Sequence, residues 1–382
     1  VLLEETGDSV HVFAAHNFWD DARNCGMLRV STVKTTRDQI TGGAPLPPWS
    51  PLYDTSPCRA LETDGQGGRL GRLPDGGILV TVGDQGFDGM RRAEYLAQNP
   101  DLDYGKTIRI DPETGEGRVY TLGHRNPQGL HVSSTGEIWQ TEHGPIGGDE
   151  LNLIVPGANY GWPMVTLGLP YEEATLPSGT SAGTHDGFQP PTYAWLPSIG
   201  ISEITEITQS RFPVWEGDLI VGSLVDLSLW RVRPADGRVV LVERIPVGER
   251  VRDLIEDPDG RLVLWTDSQA LVVIEEAEAG GSAVTTVGMD GELLFGGCLG
   301  CHTSGGFGIA PDLAGVIGRP IASAPGYDYS AALRSLAGRW DEDQLDAYLE
   351  NPQAFAPGNR MAFPGIRSAA DRRSLIAFMR NR

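Results

Sequence analysis

Short apolar runs that follow glycine-containing turns dominate the first 275 residues. They occur in LPDGGILVTVGD (73–84), SSTGEIWQTE (133–142), WEGDLIVGS (215–223) and DPDGRLVLWTD (258–267). Each run is aliphatic or β-branched and follows a turn, which is typical of a β-strand in a hairpin. The turns recur at intervals of roughly 40 to 80 residues, the spacing of propeller blades with insertions. The pattern predicts an all-β propeller over residues 1–275.

Each of these runs also ends at a polar residue: Asp84, Glu142, Ser223 and Asp267. If each run is the strand nearest the axis of its blade, the four side chains ring one mouth of the central channel, where loops converge on a site. The alternative is that each residue merely caps the end of a strand.

The pattern changes after residue 275. EEAEAGGSA (275–283) is acidic and glycine-rich, and we expect a linker over residues 276–284. From residue 285 to 382 the apolar spacing becomes helical. WDEDQLDAYLENP (340–352) predicts a helix with Asp341 as its N-cap, ending at proline. SAADRRSLIAFMRNR (368–382) predicts a terminal amphipathic helix with Leu375, Ile376 and Met379 on one face.

Composition supports this division and narrows the function. Fifty glycines and twenty-seven prolines fit a chain with many tight turns. The net charge is −21, and the nine arginines and ten carboxylates from residue 283 onward leave about −20 for the first part. Such acidity excludes a nucleic-acid-binding function, which needs a basic face. It suits docking to a redox partner with a basic face, or simply solubility. No run approaches the roughly 20 apolar residues of a membrane helix.

The chain has four cysteines, Cys25, Cys58, Cys298 and Cys301. The last two belong to CLGCH (298–302), in which both thiols add to haem vinyl groups and His302, on the same helical turn, reaches the iron. Haem c is attached outside the cytoplasm in bacteria, so we expect a periplasmic or otherwise extracytoplasmic protein. Cys25 and Cys58 then form either a disulfide or two separate buried thiols.

The second iron ligand should lie well downstream of His302. Met361, in PGNRMAFPGI (357–366), lies in a proline- and glycine-rich loop that can hold a thioether without helical constraint. Met379 is the competitor, but its helix suggests a core position. A Met/His ligand pair suits electron transfer.

This part of the chain resembles the class I cytochromes c over residues 285–382. The resemblance rests on LFGGCLGCH, APDLAGVIGR (310–319), PGYDYSAAL (325–333) and NRMAFPGI (359–366). It implies a small all-α domain with covalently attached haem c. It also implies that Pro311 packs against and orients the proximal histidine.

Three motifs of the first part indicate an anion site with a cation beside it. TLGHRNPQGL (121–130) crowds Arg125, Asn126 and Gln128 into one turn, and ERVRD (249–253) places Arg250 and Arg252 on one side of a strand. Arginines bind carboxylates through paired hydrogen bonds. TEHGPIGGDELNLI (141–154) combines a Gly-Pro turn with Asp149 and Glu150. Such carbonyl and carboxylate oxygens are the ligands that calcium prefers. Unrelated surface salt bridges are the alternative.

The same stretches, with GANYGWP (157–163) and GGRL…PDG…VGDQG (67–86), resemble the soluble quinoprotein glucose, aldose and sorbosone dehydrogenases over residues 8–275. The resemblance implies a six-bladed propeller that binds pyrroloquinoline quinone, with calcium at its mouth. By position, the quinone contacts would be Arg125, Asn126, Gln128, Trp195, Arg250 and Arg252. Gly144 and Pro145 match backbone ligands of the quinone's calcium, and Asp149, Glu150 and Tyr160 match a structural calcium region. Asp84 matches an acid on the substrate side.

Three departures from this family affect the predicted chemistry. Gly65 stands where the family has its catalytic histidine, and glycine cannot abstract a proton. Val225 stands where a lysine usually contacts the quinone. Material corresponding to the family's first blade is also missing before Val1, so the expected ring is incomplete at its N-terminus or reorganised. Losing a general base typically costs 10²–10⁴-fold in rate.

The sequence therefore favours an electron-transfer or docking protein with a haem domain and a degenerate dehydrogenase propeller. The alternative is an active quinone- and calcium-dependent sugar or aldehyde dehydrogenase that passes electrons to its own haem. In that case Asp64 or Asp84 would replace the missing base, with Glu62 and His143 as further candidates. A binding module for acidic sugars would use the same arginines but leaves the haem motif unexplained.

Overall fold

The computed structural model of the chain describes most of the propeller and much of the C-terminal part. The described residues are 1–42, 45–59, 65–90, 94–171, 179–209, 211–275, 291, 294, 295, 298, 302, 310–361, 363, 365, 366 and 369–380. Asp64, Glu62, Cys301 and the predicted linker 276–284 lie outside these residues. The boundaries between the predicted domains accordingly stay predictions.

The first two blades are four-stranded antiparallel sheets whose strands follow one another in chain order. The first blade contains β1 (Leu2–Thr6), β2 (Ser9–Asp20), β3 (Cys25–Thr36) and β4 (Ser50–Asp54). A short helix, α1 (Arg37–Thr41), follows β3. The second blade contains β5 (Gly67–Arg72), β6 (Ile78–Val82), β7 (Lys106–Ile110) and β8 (Gly117–Leu122).

The third blade has an insertion before its outermost strand. Its strands are β9 (Pro127–Val132), β10 (Ile138–Glu142), β11 (Asp149–Leu153) and β14 (Tyr193–Trp195). The insertion carries a small parallel pair, β12 (Val165–Thr166) and β13 (Ser181–Ala182).

The fourth blade contains β15 (Ile201–Glu206), β16 (Leu219–Ser223), β17 (Ser228–Ala235) and β18 (Arg238–Pro246). The fifth has three strands, β19 (Val251–Glu256), β20 (Leu262–Thr266) and β21 (Leu271–Ile274). The expectation of six blades is therefore corrected to five. The five sheets and the β12–β13 pair use every strand of the described propeller residues, and none is left for a sixth blade.

Apolar side chains between neighbouring blades form the core. Phe13 and Val30 of the first blade pack with Val80 and Ile108 of the second. Similar clusters join the second blade to the third, the third to the fourth and the fourth to the fifth. Burying the sheet faces between neighbouring blades in this way removes apolar surface from water, which is the main favourable term in the folding of a propeller of this size.

The predicted strands are the second strands of their blades. The runs at 78–82, 138–142, 219–223 and 262–266 became β6, β10, β16 and β20, while β5, β9, β15 and β19 pack against one another at the axis. The hypothesis that these runs lie nearest the axis was thus wrong. Crowding explains why the inner strands have a weaker apolar pattern. A Cβ atom on Gly129 of β9 would lie only 2.9 Å from Ser202 O on β15, so a side chain does not fit there.

Three charged side chains from different inner strands meet at the axis, and we call them the axial ion group: Arg69, Glu203 and Asp253. Arg69 of β5 forms an ion pair with Glu203 of β15, and its Nη1 lies 3.0 Å from Asp253 Oδ2 on β19. Arg69 Nε also donates to Gln128 O of β9 at 3.1 Å. Burial raises the pKa of Glu203 to about 7, although Arg69 opposes that shift. The group therefore links four of the five blades through one guanidinium.

The described C-terminal residues are helical where the sequence predicts it. Residues 291, 294, 295 and 298 are helical, followed by α2 (Ala331–Arg334), α3 (Glu342–Glu350), α4 (Pro352–Phe355) and α5 (Ala369–Arg380). The carboxylate of Asp341 accepts the N–H of Gln344 at 2.8 Å, which confirms the predicted N-cap of α3. Leu375, Ile376 and Met379 are buried in one cluster, as predicted. None of the described helices has the length and apolar character needed to span a membrane.

Cys25 and Cys58 form a disulfide within the first blade, with Cα atoms 5.6 Å apart. It joins the start of β3 to the segment after β4, where Gly26 and Arg59 also pair through their backbones. The structure thus favours the disulfide over two separate thiols. The bond closes a chain segment of 33 residues, so it limits the conformations of the unfolded chain.

We expect replacement of both cysteines, Cys25→Ser with Cys58→Ser, to lower the free energy of unfolding of the propeller by about 2–4 kcal/mol. Urea unfolding followed by tryptophan fluorescence measures this. Wild-type protein treated with a thiol reductant should match the double variant. An unfolding midpoint that responds to neither treatment would show that the bond does not constrain the propeller.

Candidate functional site

Antiparallel pairing gathers the candidate residues at one end of the propeller. In the second to fifth blades the start of the inner strand lies beside the end of the second strand, in the pairs Gly67–Val82, Pro127–Glu142, Ile201–Ser223 and Val251–Thr266. The N–H of Asp84 donates to Arg125 O at 2.8 Å, which joins the second blade to the third at this end. We call this end, with Asp84, Arg125, Glu142 and Arg250, the propeller mouth. The four polar residues of the sequence pattern lie here, one strand away from the axis.

Asp84 is buried at the mouth, with 4% of its surface exposed. The indole N–H of Trp162 donates to Asp84 Oδ2 at 2.6 Å, and the N–H of Gly86 donates to Oδ1 at 2.9 Å. Burial raises the pKa of Asp84 to about 6, because the charged form loses hydration, while Arg125 and these hydrogen bonds oppose the shift. Asp84 therefore has the pKa of a workable general base near neutral pH.

Gly65 lies directly against Asp84. A Cβ atom at this position would be 3.2 Å from Asp84 Oδ1, and the backbone φ of +66° is a conformation that side chains rarely adopt. The Gly65 carbonyl accepts the N–H of Gln85 at 3.2 Å. A histidine would be strained and crowded here, so the local backbone is adapted to glycine. The carboxylate of Asp84 lies beside the place where the family's base is expected.

Arg125 points its guanidinium at the backbone of the Gly-Pro turn. Its Nη1 donates to His143 O at 3.1 Å and to Gly144 O at 2.9 Å, and its Nη2 donates to the Tyr171 hydroxyl at 3.1 Å. The guanidinium also lies over the rings of Trp162 and Tyr171, 5.4 and 5.7 Å from their centroids. Such a cation–π arrangement stabilises a desolvated guanidinium.

Asn126 and Gln128 are engaged with each other. The Gln128 amide donates to Asn126 Oδ1 at 2.8 Å, and the Asn126 carbonyl accepts the N–H of His143 at 3.1 Å. These contacts hold the turn before β9 against the end of β10. Both residues lie near Arg125, as their spacing in the sequence predicts.

Arg250 and Arg252 share one carboxylate. Arg250 Nε lies 2.7 Å from Asp267 Oδ2, and Arg252 Nε lies 2.5 Å from Asp267 Oδ1. Arg250 also donates to Leu224 O at 2.8 Å, next to Val225. Two guanidiniums facing one carboxylate leave a net positive charge at this edge of the mouth. That charge is compatible with an anionic ligand, but Asp267 competes for the same donors.

Trp195 lies in the core and not on an open wall. Only 4% of its surface is exposed, and its ring packs edge-on against Tyr193 and Trp230, with centroids 4.8 and 6.1 Å away. It belongs to the cluster between the third and fourth blades. A flat ligand at the mouth would therefore not contact the buried ring of Trp195.

The oxygens expected to bind calcium at Gly144 and Asp149 have other partners. Asp149 Oδ1 accepts the N–H of Gly144 at 3.1 Å, and Oδ2 accepts the N–H groups of Ile199 and Ile201, each at 3.0 Å. Burial tends to raise the pKa of Asp149, but His143 and these donors bring it below the usual value. Pro145 packs its ring against the backbone of Gly168. The carboxylate of Asp149 thus anchors the Gly-Pro turn by accepting a hydrogen bond from the backbone of Gly144.

Glu150 and Tyr160 are engaged in the same way. Glu150 Oε1 lies 2.9 Å from His185 Nε2, and Oε2 accepts from Asn152 at 3.3 Å. The Tyr160 hydroxyl donates to Leu153 O at 2.6 Å and accepts the N–H of Val155 at 3.0 Å. Calcium would have to displace these partners, so this arrangement of the described residues does not fit the ion.

Three residues of the mouth were not singled out in the sequence: Trp162, Tyr171 and His185. Trp162 belongs to the GANYGWP motif, which could have identified it as a partner of Asp84. Tyr171 and His185 lie in the insertion of the third blade, where no motif marks them. Their partners Arg125 and Glu150 are 46 and 35 residues away in the chain.

The described residues of the CLGCH motif have the geometry of a metal-ligand turn. The N–H of His302 donates to Cys298 O at 3.0 Å, which places both residues on one helical turn. His302 Nδ1 lies 2.7 Å from Pro311 O. A histidine that donates through Nδ1 to a carbonyl presents the lone pair of Nε2 to a metal. Burial lowers the pKa of His302, which favours the neutral imidazole that a metal needs.

Met361 and Met379 occupy different environments. Met361 is partly buried at the edge of the helical core, and its N–H donates to Asn359 Oδ1 at 2.8 Å. The Gln353 amide also donates to Met361 O, at 3.3 Å. Met379 is 5% exposed within the core, which agrees with the core position predicted for it. Both contacts thus hold the backbone of Met361 in place.

Comparison with known proteins gives two separate matches. Residues 7–274 match the glucose / sorbosone dehydrogenase family. An aldose sugar dehydrogenase of Escherichia coli (strain K12) is 30% identical over 227 residues, covering 53% of this chain and 57% of that protein. A crystal structure of glucose dehydrogenase superposes with a TM-score of 0.60 at 28% identity, covering 71% of this chain and 79% of that one.

The second match concerns the C-terminal part. The cytochrome c2 of Rhodomicrobium vannielii is 40% identical over 113 residues, covering 29% of this chain and 86% of that protein. By contrast, the chain spans 66% or less of the curated relatives that resemble its propeller. A cytochrome c-like region is therefore joined to a dehydrogenase-like propeller.

The raised pKa of Asp84 predicts a specific pH dependence of stability. Asp84 holds its proton up to about pH 6 in the fold but only to about pH 3.8 when unfolded. Its favourable contribution is thus present below pH 4 and lost as the pH rises through 6. Asp84→Asn removes this loss. We expect the free energy of unfolding of the variant to rise relative to that of the wild type by up to about 3 kcal/mol as the pH increases from 4 to 7.

Chemical unfolding at several pH values measures this shift. Asp75→Asn is the matched control. Hydrogen bonding lowers the pKa of this exposed carboxyl, so any change in stability caused by its titration occurs below pH 4. A parallel pH dependence for wild type and Asp84→Asn would show that Asp84 is ionised throughout this range.

Proposed function

This chain belongs to the glucose / sorbosone dehydrogenase family and carries a cytochrome c region, and from that premise we propose that it is an extracytoplasmic electron-transfer protein. Its haem domain would exchange electrons with a redox partner, while the propeller, which lacks the family's catalytic base, would serve docking. The observation that carries this proposal is the contrast between the two parts. Cys298 and His302 lie on one helical turn with His302 Nδ1 against Pro311 O, whereas the mouth has Gly65 where the resemblance implies a base, and its predicted ligand groups are engaged internally.

The residues of the C-terminal part suit covalently bound haem c. Cys298 and Cys301 would carry the thioether bonds, and His302 and Met361 would hold the iron. Haem c, when bound with these ligands, supplies one-electron transfer at a raised potential. Pro311 fixes the ring of His302 through its carbonyl, 2.7 Å from Nδ1. The Asn359 side chain holds the backbone of Met361, so contacts within the chain would help to position both proposed ligands.

The residues of the mouth support a degenerate site. Gly65 offers no side chain, and its left-handed backbone disfavours one. Val225 offers no charge where the family has a lysine. Arg250 and Arg252 are already paired with Asp267. Each of these features weakens the binding or activation of a quinone and a sugar.

The acidic charge of the chain supports a basic redox partner, and the Cys25–Cys58 disulfide supports an extracytoplasmic location. The first part of the chain carries about −20 of the total charge of −21, which would attract a protein with a basic face. The disulfide between Cys25 and Cys58 is stable in oxidising compartments, which agrees with haem attachment outside the cytoplasm. We therefore propose a periplasmic or similar location and a basic redox partner.

A second candidate function is favoured by Asp84. Its carboxylate lies beside Gly65 and has a pKa of about 6, so it could accept a proton from a sugar or aldehyde-hydrate hydroxyl. In that case pyrroloquinoline quinone, when bound, would supply the hydride acceptor. Asp84 would have to exchange the Trp162 hydrogen bond for the substrate hydroxyl during the reaction.

The proposed iron ligand Met361 has a matched control in Met379. We expect Met361→Ala to open one side of the iron, so that added imidazole or cyanide binds and the reduction potential falls. Met379→Leu should leave both properties as in the wild type, because Met379 lies in the core. Visible spectra and redox titrations of the full chain measure these effects. Unchanged ligand binding in Met361→Ala would exclude Met361 as a ligand.

Reconstitution separates the two candidate functions. Protein with oxidised haem is mixed with calcium, pyrroloquinoline quinone and a panel of aldoses and aldehydes while the haem absorption is followed. For an electron-transfer protein we expect no substrate-dependent reduction, whereas ascorbate should reduce the haem fully. Reduction by a sugar that is lost in Asp84→Asn and kept in Asp75→Asn would instead establish the dehydrogenase.

A further inference from the structure

The most unusual contact at the mouth is that of Arg125 with the backbone of the Gly-Pro turn. One nitrogen of its guanidinium donates to two successive carbonyls, His143 O at 3.1 Å and Gly144 O at 2.9 Å. Carbonyl oxygens that converge on one point form a cation site, and here the cation is a side chain of the protein itself.

The position of the Arg125 guanidinium is fixed on several sides. Tyr171 accepts a hydrogen bond from Nη2, and the rings of Trp162 and Tyr171 lie within 6 Å of the guanidinium carbon. The backbone N–H of Arg125 donates to Glu142 Oε1, and its backbone carbonyl accepts from Asp84. The side chain is thus held by ring contacts and hydrogen bonds, and its charge is balanced by the nearby carboxylate of Asp84.

A divalent cation at the same carbonyls would face two obstacles. It would have to displace the guanidinium from Gly144 O, and the displaced positive charge would remain nearby and repel it. The carboxylates that could compensate are engaged. Asp149 accepts three backbone N–H groups, and Glu150 accepts from His185 and Asn152. Among the oxygens predicted to bind calcium, those of Gly144, Asp149 and Glu150 therefore already accept hydrogen bonds from donors of this chain.

We infer that Arg125 supplies the positive charge of the propeller mouth in place of calcium, so that the mouth of this protein is independent of the ion. This inference deepens the proposed function and rests on it, because a mouth without calcium is a further loss of the dehydrogenase machinery. It also assigns Arg125 a positioning role, since the guanidinium ties the turn after β10 to the insertion of the third blade.

Calcium binding by the full-length protein tests the inference. Wild-type protein, Arg125→Gln, Arg125→Lys and Arg250→Gln are dialysed against fixed free calcium in about 0.15 M salt, which screens weak binding to the acidic surface. Bound calcium is then measured, together with the unfolding temperature in calcium and in a chelator. Arg250→Gln is the matched control, because it removes a mouth arginine that does not contact the Gly-Pro turn.

We expect the wild type to unfold at the same temperature in calcium and in chelator. Arg125→Gln should gain one calcium ion, with at least tenfold higher affinity than the wild type, because both carbonyls become free. Arg125→Lys and Arg250→Gln should behave like the wild type, since each leaves a cation at the turn. A wild type that binds calcium tightly and loses stability in chelator overturns the inference, as does an Arg125→Gln protein without any gain.

The chelator measurement on the wild type decides the question even if Arg125→Gln does not fold. Its result is also separable from the proposed function. Tight calcium binding by the wild type would refute the role of Arg125 without affecting electron transfer by the haem. Sugar-dependent haem reduction in chelator would refute the proposed function and leave the role of Arg125 intact.

Discussion

A charge removed from water must find a partner, and this constraint organises the propeller mouth. Asp84 is held by Trp162, Arg125 by carbonyls and rings, and Arg250 and Arg252 by Asp267. In a site that binds a charged cofactor, the cofactor would provide some of these partners. Here the chain provides them itself. A mouth with its charges balanced internally has less to gain from a polyanionic ligand.

The sequence predicted the features that depend on local spacing. The turns and the strands β6, β10, β16 and β20, the N-cap Asp341 and the core position of Met379 are all set by residues within a few positions of one another. The clustering of Arg125, Asn126 and Gln128 was likewise visible as a motif. Such features can be predicted from the sequence because the hydrogen bonding and burial that determine them act within one turn or one strand.

The features that sequence reasoning missed depend on partners far apart in the chain. The number of blades could not be counted because the glycine-containing inner strands, such as β5 and β9, have a weak apolar pattern. The contact of His185 with Glu150 and that of Tyr171 with Arg125 arise from an insertion without a motif. Trp195 matched by position but is buried, since alignment to a motif does not show which face of a strand is covered.

The axial ion group has a consequence for how the chain reaches its native state. Arg69 and Asp253 are 184 residues apart, yet one contact joins the inner strands of the second and fifth blades. Contacts of such long sequence separation form late, because the loop between them must close before they contribute. Until the fifth blade is in place, Arg69 and Glu203 remain without the carboxylate of Asp253, and the propeller lacks the ion pair between its second and fifth blades. Synthesis of nearly the whole propeller must therefore precede formation of the complete axial ion group.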